Sequence, residues 1–362
     1  MSLTHLHYFA GGNTAKGFYP LLDSNLQGLN CVYILEDGPK TLKSDLLKNL
    51  GMYWEQKQHS IEWLHCSSDH HLIDGIIIRS LKIAIIDGEV PYIMKTPSDI
   101  AQKRISFHHI WDSEKLFEYQ EEIEKLQQKM ENYYKLAYTA FSEALAIHDE
   151  WERIYIENMD FKKANRLTEE WIQQLFPHHS SKHKASEYHR FLGAATSVGP
   201  IDFIDDLTKN VQTRYFIKGR PGSGKSTMLK KIARAAKENG FDVEIYHCGF
   251  DPNSLDMVIV RKLGFAIFDS TAPHEYFPTR ENDSIIDMYQ ELIKRDTDER
   301  YARELKDISS RYTDKMKKGT SYLYQAKTIH DQIEHIYEKA IDSQKVHEIK
   351  NDIYTKIETI NG

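Results

Sequence analysis

The sequence has 362 residues, a formal net charge of −7 and a pI near 6.2. Its length suits two or three domains, and the net negative charge gives no overall basic surface, so nucleic acid is not the expected partner. The three cysteines form neither an even disulfide set nor a Cys-x-x-Cys metal motif, and the sequence shows neither a signal-peptide pattern nor an apolar run of membrane-spanning length. We therefore expect a cytoplasmic protein without a membrane segment.

An internal repeat relates the two halves of the chain, with an offset of 182 residues that places Lys43 on Lys225. The matched pairs include His7 and His189, Phe9 and Phe191, Tyr33 and Tyr215, Glu62 and Glu244, Cys66 and Cys248, Arg79 and Arg261, and Asp87 and Asp269. Each copy is predicted to contain a compact α/β unit and a helical arm. The predicted segments are a first unit over 1–98, its arm over 99–176, a polar linker over 177–188, a second unit over 189–280 and its arm over 281–362.

The first repeat carries an altered version of a loop that is rich in glycine in the second. It keeps Lys43 and Ser44 but has Asp37, Lys40 and Leu42 at positions where the second repeat has glycine. A Cβ atom at such positions obstructs the close backbone approach that a phosphate requires, and Asp37 adds negative charge. We interpret this loop as degenerate, with weak anion binding through Lys40, Lys43 and the helix N-terminus left open.

The arms are predicted to be long helices, over about 113–175 and 284–357. Both are rich in Glu, Lys, Gln and Tyr and contain no proline, and apolar residues recur at spacings of three and four. These patterns favour packed amphipathic helices and leave room for a protein partner that binds the arms.

A histidine and a glutamate stand four residues apart in each arm. The pairs are His148 with Glu152 and His330 with Glu334, each with an aspartate after the histidine. Such a pair lies on one helix face and can ligate a metal, but a contact between helices or a solvated face is the favoured interpretation.

The second unit alternates apolar runs with a helical pattern. Strands are predicted at 214–217, 243–247, 258–260 and 265–268, with a helix over 225–238 that ends before a glycine. This alternation predicts a parallel sheet. The expected fold is therefore α/β, with two tandem three-layer units of the P-loop NTPase type, each followed by a helical hairpin or arm.

A complete P-loop pattern lies between the first strand and the helix of this unit. It reads Gly219-Arg220-Pro221-Gly222-Ser223-Gly224-Lys225-Ser226-Thr227. Its glycines allow backbone N–H groups to turn toward a phosphate, and the helix dipole favours the anion. Lys225 is expected to reach the β- and γ-phosphates of a nucleotide, and the Ser226 hydroxyl to ligate Mg²⁺.

A second metal-binding carboxylate is expected at the end of a neighbouring strand. Asp269 follows the apolar run 265–268 and fits that role, with a turn residue as the structural alternative. Ser270 stands where many ATPases carry a water-orienting glutamate. Asp251 and Asp256 follow the preceding strand and are candidates for contact with a substrate or the metal.

Three segments carry a resemblance to a known family: 7–17, Tyr246–Asp256 and Ala266–His274. Together they resemble a poorly characterised family of bacterial tandem P-loop ATPase-like proteins, and the likeness spans nearly the whole chain. The resemblance implies an ATP-binding protein of the P-loop superfamily, without a substrate or pathway. The missing glycines of the first loop depart from the family pattern, which puts nucleotide binding at two sites in doubt.

These observations predict an ATP- and Mg²⁺-binding NTPase with one competent site, in which Lys225 and Asp269 support hydrolysis. Two alternatives remain open. In a nucleotide or small-molecule kinase, Asp251 or Asp256 would orient an acceptor hydroxyl. In a nucleotide-gated binding or scaffold protein, the arms would respond to ATP with little turnover.

Overall fold

The computed structural model describes residues 5–89, 100–177, 183–272 and 275–358. The middle of the predicted linker, at 178–182, and the end of the third resemblance segment, at His274, lie outside these ranges. Within them, each repeat forms a six-stranded sheet, a two-stranded hairpin and several helices. The predicted combination of tandem α/β units with long helices is confirmed.

The elements of the two repeats correspond in order. In the first repeat the strands are β1 (Leu6–Tyr8), β2 (Gly11–Thr14), β3 (Gly17–Pro20), β4 (Cys31–Glu36), β5 (Glu62–His65), β6 (Ile73–Ile78), β7 (Ile83–Asp87) and β8 (Ala101–Ser106), and the helices are α1 (Leu22–Asn25), α2 (Lys40–Gln56), α3 (Ser113–Glu118), α4 (Gln120–Glu157) and α5 (Phe161–Leu175). In the second repeat the strands are β9 (Glu187–Phe191), β10 (Gly193–Thr196), β11 (Gly199–Asp202), β12 (Thr213–Lys218), β13 (Val243–His247), β14 (Leu255–Val260), β15 (Phe265–Asp269) and β16 (Ser284–Asp287), and the helices are α6 (Ile204–Thr208), α7 (Lys225–Glu238), α8 (Met288–Leu292), α9 (Thr297–Arg300), α10 (Ala302–Lys339) and α11 (Ser343–Glu358).

The sheets are mixed, so the prediction of parallel sheets is wrong in part. Their strand orders are β1-β5-β6-β7-β4-β8 and β9-β13-β14-β15-β12-β16, and β6 and β14 run antiparallel to both neighbours. The reason lies in the connections. Only one turn of 3₁₀ helix, Arg261–Leu263, and Gly264 with φ +70° separate β14 from β15. A parallel connection needs a crossover of a dozen or more residues.

The prediction of about four strands per unit is also wrong. The strand predicted at 258–260 extends over Leu255–Val260, and β8 and β16 add a strand at one edge of each sheet inside the ranges predicted as arms. Strands of four to six residues show too little alternation to be recognised before a long helical pattern. Helix α7, by contrast, has the bounds that the sequence predicts.

Each sheet is covered on both faces. The outer faces pack against α2 in the first repeat and α7 in the second. The inner faces share one apolar cluster that contains residues of both sheets and of α1 and α6, including Ile34, Ile77, Met257 and Phe268. The two units therefore pack directly against each other.

Backbone and ionic contacts join the units directly. Phe9 and Phe191, which are equivalent in the repeat, exchange two backbone hydrogen bonds of 3.1 and 3.0 Å. The buried guanidinium of Arg190 lies 3.0 Å from Glu62 in the first sheet and 3.4 Å from Glu244 in the second. Burial alone would raise the pKa of Glu62, but Arg190 and Arg79 lower it to about 2.

The arms cross from one unit to the other. Helices α4 and α10 have 38 residues each, about 57 Å at helical rise, and pack antiparallel, because Ile123 near the start of α4 meets Ile333 near the end of α10. A Cβ atom at Gly319 of α10 would overlap the Phe141 ring of α4. Neither these helices nor any other among the described residues is long and apolar enough to cross a membrane.

The short helix after each long one completes the core of the opposite unit. Helix α5 of the first repeat packs on the second unit through Trp171 and Leu175, and α11 of the second repeat packs on the first unit through Ile349 and Ile353. The two repeats therefore exchange their terminal helices.

We expect Ile353→Ala to lower the free energy of unfolding by about 2–5 kcal/mol, because the fully buried side chain fills the core of the first unit. The exposed His347→Ala substitution on the same helix is the control and should have little effect. Urea unfolding measures both variants. Equal stabilities for the two would contradict the exchange of terminal helices.

Candidate functional site

The predicted loop of the second repeat connects β12 to α7 in an open turn. Gly222 and Gly224 have φ values of +76° and +89°, a region that favours glycine, and α7 begins at Lys225. A Cβ atom at Gly219 would overlap the Ser223 hydroxyl. The observed backbone therefore requires glycine at Gly222 and Gly224, whereas a side chain at Gly219 would displace the Ser223 hydroxyl.

Several N–H groups of this loop have no hydrogen-bond acceptor among the residues that the structure describes. The first residue of α7 whose N–H bonds back along the chain is Met228, which donates to the Gly224 carbonyl at 3.0 Å. Within the described ranges, no protein acceptor is found for the N–H groups of Gly222, Gly224, Lys225, Ser226 and Thr227. Free N–H groups at a helix start favour an anion, and the helix dipole adds to this preference.

Lys225 and Asp269 come together beside the loop. The Lys225 side chain is almost fully buried, and its Nζ donates to the Arg220 carbonyl at 3.0 Å and lies 3.5 Å from Asp269 Oδ2. Asp269 Oδ1 accepts hydrogen bonds from the N–H and hydroxyl of Thr271. One carboxylate oxygen is thus fixed by the turn, and the other faces the lysine.

The Ser226 hydroxyl accepts one hydrogen bond within the fold and can still act as an oxygen ligand. Its Oγ accepts a hydrogen bond of 2.9 Å from the Leu255 N–H of β14. A hydroxyl oxygen can accept twice, so one lone pair remains. Ser226 and Asp269 supply the oxygen ligands that Mg²⁺ prefers, and the two residues fit this ion chemically.

The side chain of Arg220 is held by residues outside the loop, through contacts that the sequence did not indicate. Its guanidinium pairs with Asp298 of α9 at 2.8 Å and lies 5.0 Å from the centre of the Tyr289 ring. The Tyr155 hydroxyl of α4 donates to the same aspartate. Residues from both arms therefore hold this side of the loop.

The remaining candidates serve the local fold. Asp251 accepts hydrogen bonds from Asn253 N–H and the Ser254 hydroxyl and lies 3.6 Å from Lys16 of the first repeat. Asp256 is buried on β14 and hydrogen-bonds the Cys248 thiol, whose pKa is raised by burial and by this carboxylate.

The equivalent loop of the first repeat has no such cradle. Helix α2 begins at Lys40, three residues earlier in the repeat than α7, so the glycine-rich turn is replaced by helix. Lys40 pairs with Asp74 and Asp87, and the fully buried Lys43 pairs with Asp87 at 2.7 Å. Both lysines are thus neutralised by carboxylates of the protein.

A glutamate from the opposite arm occupies the start of α2. Glu334 accepts hydrogen bonds from Lys40 N–H at 3.0 Å, from Thr41 N–H at 2.8 Å and from the Thr41 hydroxyl at 2.6 Å. The favoured interpretation of the His330–Glu334 pair, a contact between helices, is confirmed. The first loop therefore already holds a carboxylate from its own chain.

The corresponding part of α4 lies against the second loop. A Cβ atom at Gly222 would be 2.9 Å from the Cα of Glu152, so this glycine is also required by the approach of the arm. His148 lies one turn away, with its Nδ1 3.9 Å from the Glu152 carboxylate. The spacing in the sequence indicated the His148–Glu152 pair but not its contact with Gly222. That contact depends on how the arm packs, which a local sequence pattern does not show.

Comparison of the chain with protein-family models, curated proteins and solved structures gives no match.

Two equivalent histidine pairs lie at the ends of β5 and β13. His247 Nδ1–H donates to the Pro252 carbonyl at 2.6 Å, so its Nε2 accepts from His189 at 2.8 Å, and His65 and His7 repeat the arrangement. His247 and His65 therefore hold structural positions, with both ring nitrogens engaged by the protein. Burial lowers the pKa of His65 and of His247 to about 4.

These pairs predict a loss of stability in mild acid. A histidine in the unfolded chain has a pKa near 6.5. Between pH ~6.5 and ~4 the unfolded chain therefore binds more protons than the folded protein, and the free energy of unfolding decreases as the pH is lowered. Urea unfolding at pH 7.5 and at pH 5 measures how much of the free energy of unfolding is lost on acidification. This loss should be smaller in the double variant His65→Gln, His247→Gln than in the wild type, by about 1–2 kcal/mol for each histidine replaced. An identical loss in both proteins would contradict the assignment.

Proposed function

We propose that the protein binds ATP with Mg²⁺ at the loop Gly219–Thr227 and hydrolyses it at this one site. The observation that carries the proposal is the set of N–H groups at the start of α7 that have no acceptor in the described part of the chain, next to the buried Lys225. A concave group of N–H donors, a helix N-terminus and a lysine are the features that bind a nucleotide polyphosphate.

The residues around the loop have distinct tasks in this proposal. Mg²⁺, when bound, neutralises charge on the β- and γ-phosphates, and Ser226 and Asp269 are the residues that would hold it, directly or through water. Lys225 leaves the Arg220 carbonyl and donates to phosphate oxygens. The N–H groups of the loop fix the phosphate chain, so the reaction is supported by positioning and charge stabilisation.

The first repeat acts as a structural and regulatory partner in this proposal. Its loop is occupied by Glu334, and its arm contacts the second loop. The three cysteines are free thiols, which supports a reducing, cytoplasmic location. A protein partner that binds the arms stays a prediction.

The kinase alternative has weaker support. Asp251 is engaged by Asn253, Ser254 and Lys16, which leaves it poorly suited to orient an acceptor hydroxyl. Turnover of ATP with and without added nucleotides or small alcohols separates the two activities.

Lys225→Ala should weaken ATP binding by about 1.5–3 kcal/mol, because it removes a charge-assisted contact with the phosphates. Calorimetric titration with ATP and Mg²⁺ measures this change. The exposed Lys230→Ala on the same helix and Lys43→Ala in the first loop are the controls and should change ATP affinity far less. Equal losses for Lys225→Ala and Lys43→Ala would sink the model of one competent site.

Asp269→Asn should leave the fold intact and reduce Mg²⁺-dependent ATP turnover by orders of magnitude, because the carboxylate charge near the metal is lost. Asp205→Asn changes a largely exposed carboxylate and is the control. Phosphate release at saturating ATP and Mg²⁺ is the measurement. A wild-type rate for Asp269→Asn would show that this residue only closes the turn.

A further inference from the structure

Ser270, which follows Asp269, is unavailable for orienting water. It is fully buried, its hydroxyl donates to the Tyr276 carbonyl at 2.7 Å, and its Oγ accepts from the Tyr276 N–H at 3.0 Å. Attack of water on a phosphate is assisted by a group that orients the water and accepts its proton. Ser270, the residue after Asp269, therefore cannot be the group that orients the water.

The first repeat indicates where a carboxylate reaches the loop from outside the sheet. Glu334 of α10 accepts from the N–H groups of Lys40 and Thr41, whose equivalents in the second repeat are Gly222 and Ser223. The equivalent of Glu334 is Glu152 of α4. The same arm position thus faces the same loop position in both halves of the molecule.

At the second loop the arm is close but its carboxylate is not seated on the N–H groups. The α4 backbone at Glu152 contacts Gly222, and the Glu152 side chain is 37% exposed, whereas that of Glu334 is 8% exposed. The His148 Nδ1 lies 3.9 Å from the Glu152 carboxylate, and its ring centre lies 6.1 Å from that of Phe250. Burial lowers the pKa of His148 against the opposing charges of Glu152 and Asp149, and the Lys225 ammonium acts in the same direction as burial.

The α4 helix is fixed in this place by its own continuation. Directly after α4, Asp160 N–H donates to the Leu292 carbonyl and Lys294 N–H donates to the Asn158 carbonyl, so the arm is tied to the second unit. Glu152, a residue of the first repeat, is therefore held in a fixed position against the loop of the second repeat.

We propose that Glu152, on the arm of the first repeat, orients the water that attacks the γ-phosphate at the second loop. This role rests on the proposed ATP hydrolysis. The water oxygen bonds to the γ-phosphorus as the bond from that phosphorus to the β–γ bridging oxygen breaks, and the bond electrons leave with ADP. Glu152 accepts the water proton and returns it to solvent. The competent site is incomplete without the first repeat.

The test separates binding from turnover. Glu152→Gln should lower the rate of phosphate release at saturating ATP about a hundredfold or more. Its dissociation constant for a non-hydrolysable ATP analogue with Mg²⁺ should fall about tenfold, because the carboxylate no longer repels the γ-phosphate, while that for ADP stays unchanged. Glu334→Gln, the equivalent substitution at the first loop, is the control and should leave the rate and both dissociation constants close to wild type.

Each result of the Glu152→Gln experiment supports or contradicts the role of Glu152. A wild-type rate for Glu152→Gln, or equal changes in analogue and ADP binding, would overturn the role of Glu152 while ATP binding stands. If the wild type binds ATP but turns it over slowly, the comparison of analogue with ADP decides alone. Absence of ATP binding by the wild type would overturn the proposed function, and this role with it.

Discussion

The first N–H groups of a helix have no partner within the helix and need an acceptor from elsewhere. Helices α2 and α7 are equivalent in the two repeats and meet this need differently. Glu334 satisfies α2, and buried carboxylates neutralise Lys40 and Lys43. At α7 the N–H groups of Lys225, Ser226 and Thr227 have no protein acceptor among the described residues. This difference, more than the difference in glycine content, distinguishes the first loop from the loop proposed to bind a phosphate.

The exchange of helices makes the two halves interdependent. Each long helix starts at its own unit, crosses the molecule along its partner and ends at the loop of the other unit, where α5 or α11 completes the core. The joint apolar cluster of the sheets and the buried Arg190 between Glu62 and Glu244 hold the units in a fixed relation. The second unit therefore depends on the first repeat, which supplies part of its core through α5 and a contact to its loop through Glu152.

The sequence predicted the features that depend on local patterns. The bounds of α7 follow from its apolar period and the glycines around it, and the offset of 182 residues predicted two equivalent units. The mixed sheet was missed because a turn of three residues before Gly264 decides strand direction. The contact between Glu334 and Lys40 spans 294 residues of sequence and depends on which unit the arm reaches. An amphipathic pattern shows that a helix packs but not against what, so neither the crossing of the arms nor the neighbours of Glu152 were predictable.

The central claim is that one loop is kept for a nucleotide and the other is filled by a carboxylate of the chain itself. Native mass spectrometry of the intact protein with Mg²⁺ and a non-hydrolysable ATP analogue counts the bound nucleotides directly. We expect one nucleotide per chain at saturation. Two per chain would show that Glu334 does not close the first loop, and none would show that the free N–H groups of α7 do not form a nucleotide site.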